Sequence, residues 1–309
     1  MLLLLAVTDS WALSQQEQKF VTRMVEKHQF DSDQLTQQLQ KAKHQPSIIK
    51  AISRPAEAMP WYKYRKIFLK PERIENGKKF MRKYHMELKQ AQQTYGVPPH
   101  IITAIIGVET LYGKNTGGYA VMEALRTLAF GYPKRAKFFR SELEQYLLMA
   151  REEGLEPLTP KGSYAGAMGM PQFMPSSFRK YAVDFDGNGK RDLWSSPSDV
   201  IGSVGNYFSR HGWRAGEAVA FKLEQQPPGL PLGNRRGQKP NVSISKISKS
   251  GVTLTAEVSA LDKAAILKYK QKNKQDYWLG FHNFYVITRY NHSNLYAMAV
   301  YQLALEILE

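Results

Sequence analysis

The 309-residue chain contains no cysteine. That excludes disulfides, thiol nucleophiles, Cys-ligated zinc, iron–sulfur clusters and a lipidated N-terminal cysteine. No run approaches the roughly 20 apolar residues needed to cross a bilayer, so a membrane span is excluded too. Acidic residues are scarce: 27 Asp and Glu stand against 43 Lys and Arg, a formal net charge of +16. So positive a field predicts an anionic partner, whether nucleic acid, anionic lipid or an acidic polysaccharide. Apolar material is plentiful. Hydrophobic residues make up 43% of the chain, enough for a core and too much for a disordered protein.

Met1-Leu-Leu-Leu-Leu-Ala-Val7, followed by Thr8-Asp-Ser-Trp-Ala12, resembles the end of a signal-peptide apolar region, with an apolar helix cap as the alternative. Residues 1–13 are therefore set apart as a signal-peptide remnant, and export is the expectation. Residues 14–95 read as a helical domain, with Phe20, Met24, Leu35 and Leu39 at helical spacing. Pro46, Pro55 and Pro60 divide it into short helices, and a helical pair covers Pro71 to Tyr95. In 96–215, helices are expected over 100–112, 120–130, 138–153 and 197–211, broken by a Gly-, Met- and Pro-rich stretch around 162–189. Within 216–276, Val242–Ile247 and Val252–Val258 alternate like half-buried strands around Ser250-Gly251, a small basic β domain. Residues 277–309 return to aromatic and helical material, ending in a helix over 296–308. The fold class is mainly α, of α+β type.

Three features carry chemistry. On the helix Ile101-Ile-Thr-Ala-Ile-Ile-Gly-Val-Glu109, Ile102, Ile105 and Glu109 fall at i, i+3 and i+7, placing a carboxylate on the apolar stripe. Burial disfavours its charged form, as a general acid at neutral pH requires; a buried Glu paired with a Lys or Arg is the alternative. The run Gly162-Ser-Tyr-Ala-Gly-Ala-Met-Gly-Met-Pro-Gln-Phe-Met-Pro-Ser-Ser177 combines close-approach glycines, adaptable methionines and Gln172, suited to sugar hydroxyls or acetamides. A plain Gly-rich connection fits it equally. Asp184-Phe-Asp186-Gly-Asn188-Gly189 sets oxygen ligands at alternate positions before a turn glycine, the opening of a calcium loop. Position 12 of that loop is Ser195 rather than Glu, and Asp199 stands where a lengthened loop would close; simple Asx turns are the alternative.

Taken in order, Gly107-Val-Glu-Thr-Leu-Tyr-Gly113, Ala165-Gly-Ala-Met-Gly with Pro171-Gln-Phe-Met-Pro-Ser-Ser177, the Asp-rich loop and Arg289-Tyr-Asn-His292 closely resemble the membrane-bound lytic murein transglycosylase B family, including its soluble form. The similarity runs from about Trp61 to Met298. It implies a lysozyme-like core (96–215, with an EF-hand-like loop at 184–199), the N-terminal helical domain, the β domain (216–276) and a C-terminal segment rejoining the core. It implies cleavage of peptidoglycan between N-acetylmuramic acid and N-acetylglucosamine, leaving 1,6-anhydromuramic ends. Glu109 matches the single catalytic acid/base. Ser163 and Gln172 match residues that orient the catalytic region and hold the sugar, and Tyr64, Tyr207, Tyr290 and Asn291 match cleft residues. Asp184, Asp186, Asn188, the Lys190 carbonyl and Asp199 match calcium ligands if one residue is inserted before Asp199; no cofactor is implied for catalysis.

Glycosidases ordinarily flank the scissile bond with two carboxylates. A single one suffices if the muramic C6 hydroxyl attacks C1 intramolecularly, since proximity replaces an enzyme nucleophile. A lysozyme-type hydrolase needs a second acid, for which Glu123 and Asp192 are candidates, and a non-catalytic wall-binding protein is the third reading. Nucleic-acid binding is disfavoured by the lack of a recognisable motif and by the expected export. The expected setting is periplasmic and soluble, for a monomer with no membrane span and with cell-wall synthases as protein partners.

Overall fold

A computed structural model describes residues 12–53, 59–233, 235–259 and 261–309. The apolar opening read as a signal-peptide remnant lies, up to residue 11, outside the described residues. The chain forms two compact units, each assembled from two separated stretches: Met1–Pro55 with Thr116–Lys180, and Ala56–Asn115 with Tyr181–Glu309.

The first unit is helical. Ser14 opens the helix Gln15–His28 with a capping box, its hydroxyl accepting from the Glu17 amide while its own amide donates to the Glu17 carboxylate at 2.8 Å. Phe20, Val21 and Met24 form the buried stripe of that helix. Helices Val121–Gly131 and Ala136–Glu152 pack as a hairpin through the short turn Pro133–Arg135. Charge joins the first helix to this hairpin. Arg126 donates to Glu17 at 2.7 Å, and Glu144 accepts from Arg23, Lys27 and His28 at 2.5, 3.0 and 2.8 Å. A buried carboxylate with three donors keeps its solvation without water.

The second unit is built around the helix Pro99–Thr110. Pro98 and Pro99 suit its start, where their missing amides cost nothing. Ile101 to Val108 are all buried, so the helix is apolar all round and takes a central place. Helices Pro71–Lys83, His85–Tyr95, Pro197–Arg210 and Asn294–Leu308 pack on it. Strands Ala220–Leu223, Gln275–Gly280, Lys263–Lys270 and Val242–Ser243, in that spatial order, form an antiparallel sheet. Its residues Leu223, Ile266 and Leu279 form one apolar cluster with Ile244 and Ile247.

The helices expected at 100–112, 120–130, 138–153, 197–211 and 296–308 are present, with ends within two residues of those expected. The β elements differ from expectation. Only Val242–Ser243 of the first expected strand is extended; Ile244–Lys249 and Ala256–Ser259 are helical. Ser243 caps the helix by accepting from the Lys246 amide, and Ile244 and Ile247 are buried at a spacing of three. That spacing selects helix over strand once the cap is in place. The true hairpin, Lys263–Lys270 with Gln275–Gly280, buries several consecutive residues and shows no alternation to read.

Asn283 fixes the segment that leads from the helix Pro197–Arg210 into the sheet. Fully buried, it accepts from the Arg214 amide at 2.9 Å and donates to the carbonyls of Arg214 and Glu217 at 2.8 and 2.9 Å. Asn283→Ala strands these three backbone groups and lowers unfolding free energy by about 2–3 kcal/mol, measurable by chemical denaturation at neutral pH.

Candidate active site

Glu109 is the next-to-last residue of the central helix. The chain leaves that helix through Leu111 and Tyr112, both left-handed with φ of 52° and 60°, before Gly113 at 87°. Such backbone costs about 1–2 kcal/mol per non-glycine residue, so it needs support. Tyr112 supplies it: the hydroxyl donates to the Arg73 carbonyl at 3.0 Å and the ring packs on Phe80 at 5.6 Å. Gly77 and Gly107 make the room, since a Cβ at either would collide with the Tyr112 hydroxyl. The motif Gly107-Val-Glu-Thr-Leu-Tyr-Gly113 thus has a steric logic: a small residue, an acid and a strained exit held by one ring.

Burial pushes the Glu109 carboxyl up to about 7, against the opposing pull of the Tyr296 hydroxyl, which donates to Oε1 at 2.5 Å. No other carboxylate among the described residues contributes to its shift. Tyr207 and Tyr290 pack with ring centres 4.8 Å apart, and both phenols are held protonated by burial and by the nearby Glu109 charge. Tyr207 donates to the Arg289 carbonyl at 2.7 Å, fixing the start of the Arg289-Tyr-Asn-His292 segment. Tyr64 packs at a tilt against Trp61 and Phe68 and lies close enough to add to the upward shift on Tyr296, which burial dominates. Asn291 is exposed, and its side-chain oxygen accepts from the Ser293 amide at the start of the last helix.

The structure therefore gathers Glu109, Tyr207, Tyr290 and Tyr64 through Tyr296, which the sequence reading missed. Tyr296 lies 187 residues from Glu109, beyond the reach of any local pattern. A tyrosine in the first turn of the last helix, just after Tyr290-Asn291, was the available signal.

Ser163 and Gln172 belong to the first unit. The Ser163 hydroxyl accepts from the amides of Ala165 and Ala167 at 3.3 and 3.1 Å, shaping the Ala165-Gly-Ala-Met-Gly169 turn. Gln172 is left-handed, with φ of 52°, and its amide nitrogen donates to the carbonyls of Thr116 and Gly169 at 3.0 Å. Those bonds aim its side-chain oxygen, which accepts no hydrogen bond among the described residues. Glu142, buried and raised by that burial, receives the Ser176 amide and hydroxyl at 2.9 and 2.7 Å and anchors the end of the same stretch.

The two acids weighed as partners for Glu109 have other work. Glu123 accepts from the Lys43 amide and the Gln45 side chain at 3.2 and 2.9 Å. Asp192 accepts from the Trp194 and Ser195 amides at 2.8 and 2.9 Å and from the Ser195 hydroxyl.

In the Asp-rich loop, carboxylate oxygens of Asp184, Asp186 and Asp199 lie within 4.8 Å of one another. Asp184 accepts from the Asn188 and Gly189 amides at 3.0 and 2.7 Å, and Asn188 from the Lys190 amide at 3.0 Å, winding the loop inward. Asp199 has no exposed surface, and burial and the Asp186 charge both push its carboxyl up. Three converging hard oxygens whose charges repel fit a calcium-sized cation.

The raised Glu109 carboxyl has a thermodynamic signature. Folding favours its protonated form, so the associated stability is present below pH 4.5 and is lost as pH rises through about 7. Relative to Glu109→Gln, the wild-type protein loses up to about 3 kcal/mol of unfolding free energy across that window, as denaturation at a series of pH values will show.

Comparison with known proteins covers nearly the whole chain. Residues 12–305 match the family model described as the transglycosylase SLT domain. The chain is 46% identical over 296 residues to membrane-bound lytic murein transglycosylase B of Escherichia coli K12, covering 93% of this chain and 81% of that protein. The soluble lytic transglycosylase SltB1 of Pseudomonas aeruginosa superposes with a TM-score of 0.88 at 47% identity, covering 94% of this chain and 98% of that one. Escherichia coli Slt35, solved in complex with calcium, gives 0.89 at 45% identity, covering 97% and 94%. Pseudomonas aeruginosa SltB3, solved with NAG-anhNAM-pentapeptide, gives 0.81 at 29% identity, covering 94% and 78%. A central acid on an apolar helix, its tyrosine setting and a match along nearly the whole length lead to one conclusion: the chain belongs to the transglycosylase SLT family.

Proposed function

We propose that the chain is a lytic murein transglycosylase in which Glu109 alone performs both proton transfers. The observation that carries this reading is a carboxyl raised to about 7 with, among the described residues, a single hydrogen-bond partner and no second acid acting on it. Protonated, Glu109 gives its proton to the oxygen linking N-acetylmuramic acid to N-acetylglucosamine, and the C1–O bond breaks as positive charge builds on C1. As carboxylate, stabilised by the Tyr296 hydroxyl, it then takes the proton of the muramic C6 hydroxyl as that oxygen bonds to C1. The proton count closes, water is not consumed, and the product carries a 1,6-anhydro ring.

Tyr64, Tyr207, Tyr290 and Asn291 supply flat faces and polar edges to the sugar rings. Ser163 and Gln172 orient the loop and offer the open amide oxygen to an acetamide or hydroxyl. Asp184, Asp186, Asn188, the Lys190 carbonyl and Asp199 hold calcium in an EF-hand-like loop, where the ion neutralises the clustered charge and rigidifies the turn without entering the chemistry. The substrate sets the location: the enzyme works in the periplasm, as a monomer, alongside cell-wall synthases. No helix among the described residues is long and apolar enough to cross a membrane.

Digestion of purified peptidoglycan tests the mechanism. Mass spectrometry will find muropeptides lighter by one water with no reducing muramic end, whereas reducing ends would mean a hydrolase. Glu109→Gln will bind wall fragments and lose cleavage by at least about 10²- to 10⁴-fold. Calcium will raise the melting temperature by several degrees through preferential binding to the folded state. Asp199→Asn will remove that rise while leaving the product type unchanged.

A further inference from the structure

Residues 61–70 carry four Lys and Arg and no acid, and residues 263–275 carry five Lys and no acid. Nine positive charges therefore fall in 23 residues without one carboxylate to offset them. The fold brings the two stretches together. The helix Trp61–Phe68 packs on the strand Lys263–Lys270, with the Trp61 and Tyr269 rings 5.3 Å apart. A cavity of about 320 Å³ lies at this junction. Tyr62, Arg65, Lys66 and Leu69 wall it at i, i+3, i+4 and i+7, and Gln271 and Lys272 of the turn after the strand close it. The side chains of Arg65, Lys66 and Lys272 have no hydrogen-bond or ion-pair partner among the described residues. Asp276, the first acid after the turn, is engaged by Gln271 at 2.6 Å and by Lys274 at 3.9 Å. None of these residues takes part in the proton transfers.

Charge alone would accept any polyanion. The outer side of the helix is more selective. Its inner side is aromatic, with Trp61, Tyr64 and Phe68 in contact at i, i+3 and i+7, while Lys63, Lys66 and Ile67 stand exposed on the other. Ile67 is 41% exposed, and Met59, just before the helix, 44%. An aliphatic side chain among lysines gains nothing from a hydrated nucleic acid or acidic polysaccharide. At a bilayer surface it enters the headgroup layer while the lysines meet lipid phosphates, the arrangement of helices that lie on anionic membranes.

We propose that this face docks the folded protein on an anionic bilayer. A lipid phosphate sits between Arg65, Lys66 and Lys272, and Ile67 and Met59 enter the headgroup layer. Such docking uses no membrane span, in keeping with helices too short or too polar to supply one among the described residues. It is reversible and fades as salt rises.

The test is co-sedimentation of the full chain with phosphatidylcholine vesicles, pure or containing about one-third phosphatidylglycerol, set beside binding to soluble polyphosphate. The wild-type protein will bind the anionic vesicles and not the neutral ones. Lys63→Gln combined with Lys66→Gln and Lys272→Gln will weaken that binding about 100-fold, or about fivefold per charge removed, with peptidoglycan cleaved as by wild type. Lys19→Gln, Lys41→Gln and Lys50→Gln together make the same charge change on exposed lysines of the first unit. That control will stay within about threefold of wild type, because charges beyond a Debye length of the surface are screened. Ile67→Ser will weaken vesicle binding severalfold and leave polyphosphate binding unchanged. Four results would each overturn the membrane face: equal losses in the two triple variants, a parallel loss of peptidoglycan cleavage, vesicle binding indifferent to Ile67→Ser, or a wild-type protein that ignores anionic vesicles.

Discussion

The structure depends on keeping one carboxyl away from water without making it permanently neutral. The apolar helix around Ile101 to Val108 provides the dry setting that raises Glu109 to about 7. Desolvation alone would make it a reluctant acid, because the carboxylate left behind would be unsolvated. The Tyr296 hydroxyl at 2.5 Å supplies the counterweight, because it donates to the charged form. The two effects act on the same charged form with opposite sign. In the mechanism proposed above, their balance lets one side chain serve both steps at neutral pH.

Rigidity in the loops follows the same economy of side chains. Ser163 collects two amides, Glu142 receives both polar groups of Ser176, and Asp199 receives the amides of Phe185 and Asp192 at 2.8 Å each. Each is a polar residue that satisfies irregular backbone where helix or sheet cannot. These loops bear the glycines and methionines of the Gly162–Ser177 run and the acids of the Asp-rich loop, and these bonds set their shape.

Much of this was legible in the sequence where the signal is local. Helical spacing, proline starts and glycine stops located the main helices, and the i, i+3, i+7 placement of Glu109 marked it as an acid on an apolar stripe. Two things were not legible. Ile244 and Ile247 suit strand or helix until the Ser243 cap decides, and the continuous burial of Ala264 to Leu267 erased the alternation that announces a strand. Tyr296 was hidden for a different reason: its partner is distant in sequence, so only the packing of the last helix on the central one reveals the pair.

That packing has a consequence for biosynthesis. Each unit is threaded from two stretches, and the Glu109 helix finds the hydroxyl it needs only in a segment past Ser293. On the ribosome the acid emerges long before the ring that tunes it. A chain interrupted anywhere in that interval carries the carboxyl without its counterweight and lacks the helix that keeps it dry. Chain order therefore acts as a built-in delay: a potentially destructive activity toward a load-bearing polymer switches on only when translation has passed the final helix.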